Sequence, residues 1–236
     1  MTSSNDQAPP ATVVLVHGAW ADGSSWRQVI HRLQQAHIPV VAVQNPTSSL
    51  EDDVAATKKA IDDADGPVVL VGHSWGGTVI TEAGDDPKVR ALVFVAAFAP
   101  GVGESTADQV GLHEAPPGLS TIVPDRAGTS LRMTEEGWIN NVAQDLAADE
   151  ARVLAAIAPP LAMATFGEKV TRTAWSTRPN WYIVSTNDRA VSVDLQRAIA
   201  KKLNARATEL ASSHMSLISH AGAVAEVILD AVRETR

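Results

Sequence analysis

The chain has 236 residues, 45% of them hydrophobic, which predicts one domain with a substantial buried core and argues against disorder. Its net charge of −8, with no lysine/arginine cluster, argues against nucleic acid as a partner. The absence of cysteine excludes disulfides, thiolate metal sites and cysteine nucleophiles. The polar start 1–10 has no apolar signal region and no segment has membrane-spanning length, so we expect a cytoplasmic protein without a membrane partner.

Apolar strands alternate with helices along most of the chain. Strands are predicted at 12–16, 40–43, 68–71, 91–96, 181–185 and 207–210, and helices at about 24–36, 49–64, 78–83, 191–203 and 217–233. Ser49 is expected to cap the second helix, whose first turn carries Glu51, Asp52 and Asp53, as the helix dipole favours. Six strands of the buried type, separated by helices, predict an α/β fold with a mainly parallel sheet covered on both faces.

A serine lies at the junction between the third strand and the following helix, in the segment Gly72-His73-Ser74-Trp75-Gly76-Gly77. A serine with glycine two positions away on each side, between a strand and a helix, is typical of a nucleophile elbow. The strained turn exposes the serine Oγ above the sheet, and the neighbouring chain packs so closely that only glycine fits. We therefore predict Ser74 as a nucleophile; the alternative is a glycine-rich turn with a non-functional serine.

Residues 100–178, which we call the insertion, interrupt the alternation. They are richer in proline, glycine and polar residues, with a predicted β pair at 121–123 and 131–133 and helices near 134–146 and 149–157. A long insertion in a compact domain is usually functional. We expect it to form a cap over Ser74, with residues 1–99 and 179–236 as the core. Trp138, Met163, Phe166 and Trp175 are candidates for its underside, or for packing within the cap itself.

A serine nucleophile needs a general base, and the base needs an acid to orient it, in the chain order serine, acid, histidine. Of the seven histidines, only His214 and His220 come late enough. His214 follows the last strand and is the predicted base, whereas His220 falls inside the next helix and is expected on its surface. Asp188 follows strand 181–185 and is the predicted orienting acid, although it could instead cap the following helix.

Backbone N–H groups are also needed to stabilise the oxyanion that forms when a serine attacks a carbonyl group. The residue after the nucleophile, Trp75, is expected to supply one. Ala19, in the turn after the first strand, is the best candidate for the second. Gly18 would let that turn bend so that the next amide points at the site, although it could also serve an ordinary tight turn.

These segments, in this order, resemble the α/β-hydrolase superfamily: Leu15-Val16-His17-Gly18-Ala19-Trp20, the elbow, Tyr182 to Asp188, and Ser213-His214-Met215. The likeness covers nearly the whole chain and is nearest to the branch of bacterial esterase-type hydrolases, plant methyl esterases and hydroxynitrile lyases. The lyases carry threonine at the position of Gly18 and lysine at that of Met215. Without that lysine, departing cyanide would lack its charge partner, so the resemblance implies an esterase.

A set of uncharged residues is expected to line the space above the nucleophile: Gly18, Trp20, Trp75, Phe98, Met133, Met163, Trp175 and Met215. We predict a serine hydrolase, monomeric or homodimeric, that cleaves small to medium apolar carboxylic esters through an acyl-enzyme and uses no metal or cofactor. Lactones and thioesters stay open as substrates. Other activities on the same scaffold also stay open: hydroxynitrile lyase-like chemistry, cofactor-free oxygenation, or service as a small-ligand receptor.

Overall fold

The computed structural model describes residues 10–235. The polar stretch 1–10, which was predicted to lack an apolar signal region, therefore lies outside the described residues except for Pro10. In chain order the elements are β1 (Thr12–Val16), α1 (Arg27–Gln35), β2 (Val40–Ala42), α2 (Leu50–Asp62), β3 (Val68–His73), α3 (Trp75–Ala83), β4 (Val89–Val95), α4 (Thr106–Val110), β5 (Ile122–Pro124), β6 (Ser130–Met133), α5 (Glu135–Gly137), α6 (Ala148–Ile157), β7 (Leu161–Ala162), β8 (Asn180–Ser185), α7 (Val193–Lys202), β9 (Arg206–Leu210), α8 (Ser216–Ser219) and α9 (Ala221–Glu234). Within residues 10–235 we find no helix with the length and apolar character needed to cross a membrane.

Six strands form the central sheet in the order β2-β1-β3-β4-β8-β9, and every neighbouring pair is parallel. The predicted α/β fold with a parallel six-stranded sheet is therefore confirmed. Because all the strands run the same way, their carboxyl ends meet along one edge of the sheet. The turns that follow β1, β3, β8 and β9, which carry the predicted site residues, lie along that edge.

Alternate residues of the central strands pack on opposite faces of the sheet. Val13 and Leu15 of β1 join the apolar cluster that α1 and α9 cover, whereas Val14 and Val16 join the cluster that α2, α3 and α7 cover. All five residues of β1 and all six of β3 are buried. The last strand differs from the prediction, because β9 is an edge strand whose residues are exposed or half-buried rather than of the buried type.

Two predicted helices are interrupted. The helix expected at 217–233 is divided into α8 and α9 at His220, whose backbone (φ −124°, ψ 32°) is not helical. His220 is therefore at a helix junction and not inside a helix. The helix expected at 134–146 begins as the single turn α5, continues as a π-helix over Trp138–Val142 and ends there. A π-helix bonds each residue to the fifth one along, so its spacing is not that of the α-helical pattern.

The insertion builds a sheet of its own beside the core. Its strands are antiparallel in the order β5-β6-β7, which extends the predicted pair by a third strand. Hydrogen bonds join it to core loops near the carboxyl edge of the main sheet. The indole N–H of Trp20 donates to Leu131 O at 2.8 Å, and the N–H of Ala162 donates to Thr47 O at 2.9 Å.

Candidate active site

Ser74 occupies a strained turn between β3 and α3. Its backbone has φ 52° and ψ −121°, a region that costs a non-glycine residue on the order of 1–3 kcal/mol. A Cβ on Gly72 would lie 2.5 Å from Gly76 O, and a Cβ on Gly76 would lie 2.5 Å from Val16 O. Neither position can therefore hold a side chain while the turn keeps this shape. This geometry is that of the elbow expected from the sequence.

His214 and Asp188 form a close buried pair. Nδ1 of His214 lies 2.6 Å from Oδ2 of Asp188, and the hydrogen bond between them bridges the turns after β9 and β8. Oδ1 of Asp188 accepts the backbone N–H groups of Ala190 and Val191, at 2.8 and 3.0 Å. Asp188 therefore bonds the imidazole and also caps the turn that leads into α7, so its geometry is compatible with both interpretations of its sequence position.

The bond to Asp188 leaves Nε2 of His214 as the ring nitrogen that can accept a proton. Ser74 and His214 lie in the wall of the same cavity. The carbonyl oxygen of His214 is 3.0 Å from Nε2 of His73, which donates to it. Burial, and then the nearby His214, hold the pKa of His73 well below its usual value, so His73 is neutral and acts as a fixed donor.

The two predicted oxyanion donors lie in the turns on either side of Ser74 in the fold, and of the two only Ala19 is part of the cavity wall. Trp75 is the first residue of α3, so its backbone N–H has no partner within the helix, and the helix dipole is positive there. Ala19 lines the cavity in the turn after β1. Gly18 backs onto the nucleophile, because a Cβ there would lie 2.9 Å from the Cβ of Ser74. This close approach, more than a tight turn alone, requires glycine.

His17 fixes the shape of the turn that carries Ala19. Its Nε2 accepts the backbone N–H of Asn45 at 2.9 Å, so the ring proton is on Nδ1, which donates to Gly18 O at 2.9 Å. Burial lowers the pKa of His17, which keeps it in this neutral form. The turn is thus hydrogen-bonded to the loop that follows β2.

The cavity above Ser74 is narrow and apolar, with about 590 Å³ between its walls when its open mouth is included. Four of the predicted pocket residues line it: Trp20, Phe98, Met133 and Met215. The insertion adds Val110, Leu119, Ile122, Trp138, Val142 and Phe166. Trp138 and Phe166 were candidates for the underside of a cap, but the others could not be found from sequence, because the insertion has no regular pattern to show which side chains point inward.

Four predicted pocket residues are not part of the cavity wall. Met163 is 43% exposed and lies outside it. Trp175 packs beside the core instead, with its Nε1–H on Pro100 O at 3.2 Å and Lys202 Nζ 5.1 Å from its ring centroid. The expectation that Met163 and Trp175 line this space is corrected. Gly18 stands behind Ser74, and the Trp75 side chain is directed away to Asp53.

Asp53 is a charged neighbour of the elbow that sequence reasoning missed. Its side chain has no solvent exposure; Oδ2 accepts the indole N–H of Trp75 at 2.8 Å and Oδ1 accepts the N–H of Thr47 at 2.7 Å. Burial raises the pKa of Asp53 to about 6, against the lowering effect of these hydrogen bonds. In the sequence it was one of three acids in a first helical turn, which are normally solvated.

Comparison with known proteins assigns a family. The model of the alpha/beta hydrolase family matches residues 13–227, and the chain therefore belongs to that family. The alpha/beta hydrolase nvfD of Aspergillus novofumigatus is 29% identical over 215 residues, covering 81% of this chain and 84% of that protein. A carbendazim hydrolyzing esterase of Nocardioides is 36% identical over 113 residues, covering 40% of this chain and 45% of the esterase.

A solved structure agrees with this assignment. A pyrethroid hydrolase from Sphingobium faniae superimposes with a TM-score of 0.82 over 94% of this chain and 97% of its own. Because only 21% of the sequence is identical, this likeness shows the fold alone. The resemblance that the motifs indicated is confirmed at the level of family and fold.

Proposed function

We propose that the protein is a serine esterase that hydrolyses small to medium apolar carboxylic esters through an acyl-enzyme. One observation carries the proposal: Ser74, in its strained turn, and His214, hydrogen-bonded to Asp188, share the wall of one apolar cavity. Acyl transfer requires a nucleophile, a base and an orienting acid, and Ser74, His214 and Asp188 supply these three groups. The relative named as a carbendazim hydrolyzing esterase supports the same reaction class.

In the acylation step, Ser74 Oγ attacks the ester carbonyl carbon while Nε2 of His214 takes the hydroxyl proton. The carbonyl oxygen becomes an oxyanion, which the N–H groups of Ala19 and Trp75 stabilise. Collapse of this intermediate expels the alcohol oxygen, which takes the proton from His214. The alcohol leaves, and the acyl group stays on Ser74. Asp188 holds the imidazole in the tautomer that these transfers need.

Deacylation repeats these steps with water as the nucleophile. His214 takes a proton from water as the oxygen attacks the acyl carbon, and the same donors stabilise the second oxyanion. Collapse of this intermediate breaks the bond to Ser74 and releases a carboxylic acid. The proton returns from His214 to Ser74 Oγ, which restores the free enzyme.

The cavity sets the substrate class. Among the described residues that line it there is no Asp, Glu, Lys or Arg, and its one buried histidine besides His214 is neutral. A charged acyl or alcohol group would therefore lose its hydration without gaining a partner. Insertion residues supply much of the wall, so we assign residues 100–178 as the cap that selects substrates, over a core of residues 1–99 and 179–236. Lactones and thioesters have the same acyl carbon and fit this chemistry.

A serine-directed reagent tests the proposal. A fluorophosphonate should form a stoichiometric adduct on Ser74, located by mass spectrometry of the digest. Turnover of a p-nitrophenyl ester should fall on the order of 10³-fold or more in Ser74→Ala and in His214→Ala. Ser176→Ala, which removes an exposed hydroxyl from the insertion, is the matched control and should keep full activity.

The alternative activities predict different results. A cofactor-free oxygenase would keep its activity in Ser74→Ala, because its base acts without acylation. A ligand receptor would bind an apolar ligand tightly and turn esters over slowly in every variant. Either result, or an adduct elsewhere than Ser74, contradicts the esterase proposal.

A further inference from the structure

Asp53 is a fully buried carboxylate that the proposed reaction does not use. Burying a carboxylate costs free energy unless its oxygens are paired. Both oxygens are paired here, and both partners are donors: the indole N–H of Trp75 and the backbone N–H of Thr47. Only a side chain with a hydrogen-bond acceptor at both terminal atoms can pair with these two N–H groups. A side-chain amide of the same shape would turn its own N–H groups towards one of these donors.

The first partner joins Asp53 to the nucleophile turn. Trp75 follows Ser74 directly, so the proposed oxyanion donor is anchored through its own side chain. The Trp75 ring is buried and packs 5.7 Å from the ring of Phe166, centroid to centroid. The bond to Asp53 thus fixes the end of a rigid side chain at the start of α3, and with it the direction of the Trp75 N–H.

The second partner joins Asp53 to the loop 45–47. Thr47 has a left-handed backbone (φ 57°), which is strained for a β-branched residue and therefore needs to be held. Two residues earlier, the N–H of Asn45 donates to His17, and His17 in turn donates to Gly18 O, next to Ala19. One short loop therefore connects Asp53 to the turn that carries the second oxyanion donor.

The same loop also contacts the insertion. Thr47 donates its hydroxyl to Pro160 O at 2.8 Å, and Thr47 O accepts the N–H of Ala162 at 2.9 Å. The backbone N–H of Leu50, at the start of α2, donates to Glu168 of the insertion. The insertion is therefore hydrogen-bonded both to the loop 45–47 and to the start of α2.

We propose that Asp53 is a positioning residue that aligns the oxyanion hole, through the indole of Trp75 on one side and the loop 45–47 on the other. This inference rests on the proposed esterase function. Oxyanion donors accelerate acyl transfer only when they already point at the place where the charge develops. Asp53 touches neither substrate nor reacting atoms, so its effect is on the transition state and not on ground-state binding.

Four variants test this role. Asp53→Asn keeps the shape but misplaces a donor, and Trp75→Phe removes the indole N–H but keeps an aromatic ring beside Phe166. The double variant joins the two changes. Asp52→Asn is the matched control, because Asp52 precedes Asp53 on the same helix turn but is exposed. For each, kcat and KM are measured with p-nitrophenyl butyrate, and Ki with an alkyl trifluoromethyl ketone, which forms an oxyanion adduct with a serine.

We expect Asp53→Asn to lower kcat on the order of 10-fold or more and to raise Ki by a similar factor, with KM within about twofold. The double variant should lose little more than either single variant, because both act through one bond. Asp52→Asn should match the wild type. Wild-type kcat in folded Asp53→Asn, a change in KM alone, an unchanged Ki, or equal losses in Asp52→Asn would each overturn the inference.

Thermal unfolding and the stoichiometry of fluorophosphonate labelling establish that each variant is folded. If Asp53→Asn does not fold, Trp75→Phe tests the inference in its place. A Ki for the trifluoromethyl ketone equal to that of the wild type in Trp75→Phe would overturn the inference. Wild-type protein that neither labels on Ser74 nor hydrolyses esters contradicts the proposed function instead, which keeps the two failures distinct.

Discussion

Gln196 donates a side-chain N–H to Oδ2 of Asp188 over 2.8 Å, on the same carboxylate oxygen that bonds His214. Gln196 is fully buried on α7, and its Oε1 accepts the backbone N–H of Ser185 at 2.9 Å. One amide therefore ties the end of β8 to Asp188 in the turn that follows it. The orientation of the Asp188 carboxylate depends on this bond as well as on His214.

Gln196→Met should weaken both folding and activity. Methionine keeps the length of the side chain but leaves the Ser185 N–H unpaired and releases one side of Asp188. We expect a loss of about 1–3 kcal/mol in the free energy of unfolding, measured with urea, and a decrease in kcat on the order of 10-fold. Gln28→Met, at an exposed position of α1, is the control. Unchanged kcat in Gln196→Met would show that the hydrogen bonds with His214, Ala190 and Val191 hold Asp188 without Gln196.

Phe166→Ala should enlarge the cavity and move the preferred acyl chain towards longer esters. Phe166 lines the cavity and packs edge-on against Trp20, with ring centroids 5.7 Å apart. Because Phe166 is only partly buried, losing its ring should destabilise the protein by less than the roughly 3–5 kcal/mol that a fully buried ring costs. The ratio of kcat/KM for p-nitrophenyl octanoate over butyrate should rise. Met163→Ala, in the same part of the insertion but outside the cavity, should leave the ratio unchanged. An equal rise in both variants would mean that Phe166 does not limit chain length.

The contribution of Asp53 to the free energy of unfolding should decrease as the pH rises from about 4 to about 6. Burial raises the pKa of Asp53 from 3.8 to about 6, so in this window the folded protein holds a proton that the unfolded chain has lost. Stability from this group is present below pH 3.8 and is lost as the pH rises to about 6. A shift of about two pKa units corresponds to roughly 3 kcal/mol.

Urea unfolding at a series of pH values measures this effect as the difference between wild type and Asp53→Asn. The free energy of unfolding of the wild type, minus that of Asp53→Asn, should decrease as the pH rises to about 6 and then stay constant. Asp52 is the natural contrast, since hydrogen bonds from Ser48 and then Ser49 lower the pKa of this exposed residue, which gives a pH dependence of the opposite sign. A difference for Asp53 that does not vary with pH would contradict the burial of an ionisable carboxyl.

Local pattern was enough to predict the core of the fold and the arrangement of the candidate site. Continuous apolar runs identify the inner strands because both faces of a parallel sheet are buried. Glycines around Ser74 identify the elbow because the turn excludes any Cβ from Gly72 and Gly76. Ser74, Asp188 and His214 were expected to lie near one another because parallel strands bring their carboxyl ends to one edge, whereas their order along the chain was taken from enzymes with a nucleophile elbow. These features depend on neighbours in sequence, or on a topology that allows few alternatives.

Only the tertiary structure decided which side chains face one another between distant segments. Met163 and Phe166 are three residues apart in an irregular segment, where no periodicity tells the exposed side chain from the one in the cavity. Asp53 occupies a position where an acid is ordinarily solvated, yet it is buried, with Trp75 and Thr47 from other segments as its hydrogen-bond partners. Burial and pairing of this kind are properties of contacts between elements, and the sequence determines them only through the packing of the whole fold.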